Sequence, residues 1–158
     1  MGEQHAVFLL ELLNSPKWLK YIGERNVKTV DDAKAYIREK MLPQLATHGY
    51  GNYAVIRKSD NVTIGSCGLY DRDGLDGIDI GFAFLPQYEG KGYAFEAAEK
   101  MLEAGFSTFK IKKISAITTK DNISSQKLIT KLGLNYIKDI QLPDDDASLL
   151  LYQLHLLT

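Results

Sequence analysis

One segment limits the possible folds of this chain more than any other. An apolar run, Ile78 to Leu85, passes into Gln87-Tyr88-Glu89-Gly90-Lys91-Gly92-Tyr93-Ala94 and then directly into a long amphipathic stretch. Ile78, Ile80, Phe82 and Phe84 place large apolar groups on one face, and Asp79, Gly81 and Ala83 make a slimmer opposite face. That period of two reads as a strand. Pro86 to Lys91 breaks it. From Gly92 to Phe106 the period becomes helical, with Ala94, Ala98, Met101 and Gly105 in one stripe and Phe95, Leu102 and Phe106 beside it.

The flanking sequence supplies the rest of a sheet. Val7 to Leu13 reads as a helix, and Ser15-Pro16 as a cap and first turn of a short helix through Tyr21. Thr29 and Asp32 have capping-box spacing, and Ala33, Tyr36, Ile37 and Met41 follow at helical intervals. Pro43 ends or kinks that helix. Tyr53 to Arg57 and Val62 to Tyr70 read as antiparallel strands around the turn Ser59-Asp60-Asn61, followed by a polar loop from Asp71 to Gly77. Ile111 to Thr118 is a strand. Ser124 to Leu132 is a helix stopped by Gly133, with Ile123 and Leu128 placed to staple its start around Ser124. Asn135 to Gln141 and Ser148 to Leu156 read as strands around an acidic turn, Asp144 to Asp146. Because a helix joins Ile78–Leu85 to Ile111–Thr118, these two strands are expected to be parallel neighbours. The expected fold is α/β, a sheet of mixed strand direction in a single domain over residues 1–158.

Bulk properties narrow the function. Of 158 residues, 45% are hydrophobic and 25% charged, with a net charge of −1. These are the proportions of a globular protein, and no basic excess points to nucleic acid. No run approaches the ~20 apolar residues of a membrane span. The apolar stretch Ala6 to Leu10 is interrupted by Glu11 and lacks the flanks of a signal peptide. Cys67 is the only cysteine, so neither a disulfide framework nor a multi-cysteine zinc site is available, and a cytoplasmic setting is expected. His5, His48 and His155 show no metal-ligand spacing.

The strand-to-helix turn is where chemistry concentrates. The first turn of a helix leaves backbone N–H groups without partners, and their dipoles make that end partly positive. Glycine lets an anion approach such a backbone closely, so a pyrophosphate is a natural occupant. A P-loop is excluded because Tyr93 follows Gly92, and a dinucleotide fingerprint because Phe95 stands where a small residue is needed. Alternatively, Gly90 and Gly92 serve only to make a tight turn.

Gln-x-x-Gly-x-Gly after a strand, with Glu96 following, resembles the acetyl-CoA signature of the GNAT superfamily of N-acetyltransferases. Asp121-Asn122-Ile123-Ser124-Ser125 followed by Lys131-Leu132-Gly133-Leu134 looks like that family's second block. The overall texture is similar to the ribosomal-protein N-terminal acetyltransferases. The resemblance implies a GNAT-like, mostly antiparallel central sheet with a splayed parallel strand pair and flanking helices. It implies acetyl-CoA as cosubstrate and a primary amine as acceptor, whether a protein N-terminus or a small molecule. The pantetheine arm would pair with the backbone of Phe82, Ala83, Phe84 and Leu85. The pyrophosphate would meet the amides of Gln87, Gly90, Lys91, Gly92, Tyr93 and Ala94. Asn122 would bond the pantetheine, Ser125 would lie near the sulfur, and Lys127 or Lys131 would reach phosphates. Helix capping alone is the other reading of Asn122 and Ser124.

Acyl transfer from a thioester to an amine needs a neutral amine, an oxyanion donor and a proton for the leaving thiolate. Asp79, at the start of the central strand, is the candidate base; a structural ion pair is its alternative role. The tyrosine acid common in the family is replaced by Ile129, so Ser125 is the candidate acid. That replacement also admits a second reading, a non-catalytic acyl-CoA-binding module. Members of the family open with a strand before the first helix, whereas this sequence opens almost at the helix. An open sheet edge is therefore expected, and with it a possible homodimer. Trp18, Tyr21, Tyr50 and Tyr53 are candidates for the acceptor wall. Cys67, with no histidine at a recognisable spacing, is expected to be a buried, inert thiol.

Overall fold

A six-stranded sheet carries the functional elements, in the spatial order β1-β2-β3-β4-β6-β5. The computed structural model describes residues 1–143 and 145–156. The strands are β1 (Asn52–Arg57), β2 (Val62–Asp71), β3 (Ile78–Phe84), β4 (Lys113–Thr119), β5 (Asn135–Ile140) and β6 (Leu149–His155). The helices are α1 (Ala6–Leu13), α2 (Pro16–Tyr21), α3 (Val30–Tyr36), α4 (Leu42–His48), α5 (Tyr93–Ser107) and α6 (Ile123–Lys131). All strand pairs are antiparallel except β3 and β4, joined by the α5 crossover as the sequence leads one to expect.

The parallel pair is short. β3 and β4 are in register only at Ile78↔Ile114 and Asp79↔Ser115, after which they part. On its other side β3 stays paired with β2 along its whole length, from Asp71↔Ile78 to Gly65↔Phe84. The amide of Leu85 continues that ladder by donating to the Ile64 carbonyl at 3.1 Å. In an antiparallel ladder successive residues point their backbone groups to opposite sides. With Leu85 directed at β2, the N–H and C=O groups of Phe82 and Phe84 are directed into the gap beside β4.

Packing explains why the elements stand where they do. Ala98 and Leu102 of α5 lie against Leu69, Ile80, Ile114 and Ala116 of the sheet. The helix comes close because Gly105 has no side chain, and a Cβ there would sit 2.6 Å from Ile114 Cδ1. A second apolar cluster joins α1 to α3 and the turn that follows it through Leu9, Leu13, Ala33 and Ile37. A third, Phe8 and Leu12 with Leu85, fixes α1 to the end of β3.

Several local readings hold and others need correction. The Thr29–Asp32 capping box forms, with Asp32 N–H donating to Thr29 Oγ1 at 3.0 Å and Thr29 N–H to Asp32 Oδ2 at 3.1 Å. Of the two readings of Pro43, the kink is the one that holds. A π-helical turn, Ile37–Met41, absorbs the proline, and α4 runs on to His48 before the left-handed Gly49. Proline has no N–H to offer the carbonyl four residues back and crowds it, which favours a wider turn. Ser15 occupies the N-cap of α2, but its hydroxyl donates to the Leu12 carbonyl instead of capping. The N-cap of α6 is Asn122 and not Ser124, so Ile123 lies inside the helix and exposed, and the expected staple does not form. The acidic turn is described only in part, since Asp144 lies outside the described residues.

Candidate functional site

At the end of β3 the chain makes a short 3₁₀ turn, Pro86–Tyr88, and enters α5 through two left-handed glycines, Gly90 (φ 74) and Gly92 (φ 86). Glu89 N–H is used by the Pro86 carbonyl, and Glu96 N–H closes the first helical turn on Gly92 O at 3.1 Å. Among the described residues, none of the amides from Gly90 to Phe95 donates to a protein acceptor. A Cβ at Gly90 or Gly92 would meet nothing within 4 Å. The glycines are therefore required by conformation, and the space over the amides stays open. Open space, unused donors and the positive end of a 15-residue helix suit a diphosphate.

A cleft of about 630 Å³ runs from this cradle along the end of β3, between α2 and the start of α6. Phe82, Ala83 and Phe84 line it from β3, Gly90, Gly92, Tyr93 and Ala94 from the turn, and Asn122, Ser125 and Lys131 from α6. Four of the candidate cofactor contacts lie elsewhere. Leu85 is buried at 3% exposure against Phe8 and Leu12, and both its backbone groups are engaged, with its carbonyl accepting from Tyr88. Gln87 and Lys91 are exposed and do not border the cleft. Lys127 is likewise outside it, whereas Lys131 Nζ sits 4.3 Å from the Phe95 ring centre at the cleft wall.

A second cleft, of about 390 Å³, opens on the other side of the β3–α6 junction. The two share Trp18, Tyr21, Ile22, Phe82, Ala83, Asn122 and Ser125. Asn122 organises this junction by capping α6, with its Oδ1 accepting from Ser125 N–H at 3.3 Å. Gln126 braces the preceding loop through the Thr119 and Lys120 carbonyls, at 3.1 and 2.8 Å. Trp18 and Tyr21 wall both clefts, but Tyr50 and Tyr53 border neither.

Asp79 lines the second cleft at 1% exposure. It faces Arg72, with Nη2 to Oδ2 at 3.1 Å and Nε 3.3 Å from each carboxylate oxygen. Burial pushes its carboxyl above the usual range, and Arg72 opposes that shift without cancelling it. Burial likewise raises the Tyr70 phenol, whose ring passes over Gly81. A Cβ at Gly81 would lie 2.8 Å from that ring. Ile129, where a tyrosine acid would stand, is 1% exposed at the same cleft. Cys67 is buried in β2 with its thiol pushed up to about 12 by desolvation, as expected of an inert residue. Among the described residues no group of three histidines, cysteines or carboxylates could hold a metal ion. No described helix is long and apolar enough to cross a membrane.

Sequence reasoning missed Arg72, Tyr70 and the bond between Lys17 and Glu89 that ties α2 to the cradle turn. None of these carries a local motif; only the fold brings them to the site.

The acetyltransferase (GNAT) domain family matches residues 1–135. The chain belongs to this family. Its relatives include the uncharacterised N-acetyltransferases YnaD and YjdG of Bacillus subtilis (strain 168), each 34% identical over 73% and 65% of this chain. The matched stretches span 65% and 61% of those proteins, under two thirds of their length. Among solved structures, a GNAT-family acetyltransferase from Bacillus anthracis superposes with a TM-score of 0.79 at 24% identity, covering 98% of this chain and 91% of that one. The ribosomal-protein-S5-alanine acetyltransferase of Vibrio fischeri gives 0.80 at 17% identity, covering 98% and 90%. The aminoglycoside acetyltransferase AAC(6')-Ib, solved with coenzyme A, gives 0.78 at 18%, covering 98% and 91%. The GNAT fold expected from the two sequence blocks is the fold observed, including the splayed parallel pair.

Proposed function

We propose that this GNAT protein is an acetyl-CoA-dependent N-acetyltransferase acting on a primary amine. The observation that carries the reading is the junction of the two clefts. One leads from an amide-lined anion cradle along an unpaired strand edge, and the other brings a separate opening to the same Asn122–Ser125 corner. A transferase of this kind needs two ligands to meet end to end.

In this reading acetyl-CoA, when bound, supplies the activated acetyl group. The amides of Gly90 to Ala94 receive its diphosphate, and Phe82 and Phe84 offer backbone groups to the pantetheine. Asn122 fixes the α6 terminus, and the Ser125 hydroxyl relays the amine nitrogen's second proton to the departing sulfur, so that it ends protonated as it began. Asp79 takes the ammonium's first proton, directly or through water; burial raises its affinity for protons, the direction a base requires. Similarity to a ribosomal-protein acetyltransferase and to an aminoglycoside acetyltransferase at comparable scores supports the reaction class without selecting an acceptor.

The buried Ile129 at the acceptor cleft favours a second reading, a module that binds acyl-CoA without turnover. Thermal shift with acetyl-CoA, CoA, NAD and ATP tests the first half of the proposal. Stabilisation by both CoA species and not by NAD is expected. Release of free thiol with an amine panel tests the second half, and binding without release on every amine leaves the non-catalytic module.

A further inference from the structure

The acceptor cleft holds more positive charge than its carboxylates offset. Arg25, Lys40 and Arg72 line it, against Asp79 and Asp145. Arg72 and Asp79 satisfy one another at 3.1 Å. Arg25 and Lys40 are exposed and, like Lys20 and Lys34, have no carboxylate partner among the described residues, whereas Lys28 pairs with Glu24 at 3.1 Å and Arg38 with Glu3 at 3.0 Å; of these four unpaired cations, Arg25 and Lys40 are the two that border this cleft. The Asp145 carboxylate is turned back on its own loop, where it accepts from the Ala147 amide at 2.9 Å.

Lys40 reaches this cleft from an irregular stretch of backbone. The π-helical turn Ile37–Met41 lies between α3 and the start of α4, where Pro43 stands. Lys40 and Met41 of this turn and Gln44 of α4 border the opening. Single π turns occur often at functional sites. Arg25 approaches from the separate loop between α2 and α3. Two independent segments thus deliver unpaired cations to one opening, between the aromatic walls of Tyr21 and Tyr36.

We propose that the acceptor is a primary amine that also carries a carboxylate. Its amine lies at the Asn122–Ser125 junction and its carboxylate at Arg25 and Lys40. The inference rests on the acyl-transfer reading above and names the substrate class for it. A polyamine would bring further positive charge to cations that already lack partners. A carboxylate would meet a guanidinium and an ammonium, the charge-assisted arrangement that discriminates most strongly against a neutral isostere. The same chemistry is presented by a free amino acid and by the end of an acidic peptide, and the experiment separates these sources.

Initial rates of thiol release are compared for 4-aminobutyrate against 4-aminobutyramide, for amide-capped peptides beginning Ser-Glu against Ser-Gln, and for spermidine. The native protein is expected to favour the carboxylate member of at least one pair by about tenfold in kcat/KM, as hydrogen bonds to charged groups allow. In the double variant Arg25→Gln, Lys40→Gln that ratio is expected to fall to about twofold at most, with an unchanged Tm showing an intact fold. Preference within the first pair identifies a small amino acid, and within the second an acidic peptide. Equal rates within both pairs, or a preference for spermidine, overturn the proposal while leaving acetyl transfer intact. Calorimetric titration of the same ligands into CoA-loaded protein gives a readout independent of turnover. Carboxylate binding that the double variant abolishes, in a protein that releases no thiol with any amine, keeps the anion site and removes the acyl-transfer reading.

Discussion

Replacing Gly92 by aspartate tests the cradle most directly, because the position combines an open environment with a strict backbone demand. Gly92 has φ 86, and a Cβ there touches nothing within 4 Å, so steric exclusion by neighbouring residues plays no part. Two effects remain. The left-handed conformation costs an ordinary residue ~1–2 kcal/mol, which lowers Tm by about 2–8 °C in a domain of this size. The second effect is charge. A carboxylate about 5 Å from a phosphate, at an effective dielectric constant of ~20, is opposed by about 3 kcal/mol. Because Gly92 is exposed, solvent and salt reduce this to about half in the weaker limit. The acetyl-CoA Kd should therefore rise roughly 10- to 150-fold. Gly92→Asn separates the two effects. It has nearly the same shape, no charge and a better tolerance of positive φ, and its Kd should stay within about threefold of native. The assay is Tm against cosubstrate concentration. At ~100 times the native Kd the native protein gains about 2.7 kcal/mol, or about 5–11 °C. The aspartate variant, at a Kd about fifty times weaker, should gain only about 1–3 °C at the same concentration. A native-sized shift in Gly92→Asp refutes the cradle, and an equal loss in Gly92→Asn shows that conformation, not a bound anion, sets the effect.

Other substitutions probe the neighbouring machinery. Asn122→Ala removes the α6 N-cap and should cost about 1 kcal/mol, a Tm drop of about 2–4 °C, together with a fall in kcat. A loss of stability with unchanged turnover would leave Asn122 a cap and nothing more. Arg72→Gln should destabilise in a pH-dependent way. Burial already holds the Asp79 carboxyl above its ordinary range, so the folded state binds its proton more tightly than the unfolded chain and stability declines as pH rises through that window. Without Arg72 the window extends upward. The variant should lose about 2 kcal/mol at pH 8, below the ~3–5 kcal/mol of a fully buried pair because Arg72 is partly exposed, and much less near pH 4. A pH-independent loss in chemical denaturation would contradict this. Cys67 should resist alkylation at pH 8, since a thiol held at about 12 is barely ionised there, and Cys67→Ala should retain turnover. Rapid labelling of the folded protein would overturn that assignment.

Local pattern was enough to read the order of strands and helices, because β3 alternates with period two, α5 repeats with period 3.6, and Gly133 and the Thr29–Asp32 pair mark helix ends. The cradle was equally legible, since its chemistry is backbone chemistry set by two glycines with one residue between them. Asn122 and Ser125 were found through the second block. What stayed hidden depends on chain segments meeting in space. The Arg72 partner of Asp79 lies across a loop and a strand register. The fate of Leu85 depended on α1 docking over it, which no period within β3 encodes. The continuation of the helix past Pro43 rested on a balance between a lost hydrogen bond and the burial of Ile37 and Met41, both under 10% exposed. The capping position of α6 was misread by two residues because serine and asparagine compete for the same role.

The early parting of β3 from β4 gives this sheet an edge in its own interior. Under the proposed function the cosubstrate fills that place as a surrogate strand, reading main chain and not side chain. Tolerance to mutation should then be inverted along Phe82–Phe84. Apolar exchanges there leave recognition largely intact, whereas proline at Phe82 or Phe84, by deleting a single N–H, removes a rung that no substitution elsewhere can restore. On that reading the nucleotide thioester is part of the architecture, and the empty protein should exchange the amide hydrogens of Phe82 and Phe84 faster than the paired amides of its central strands.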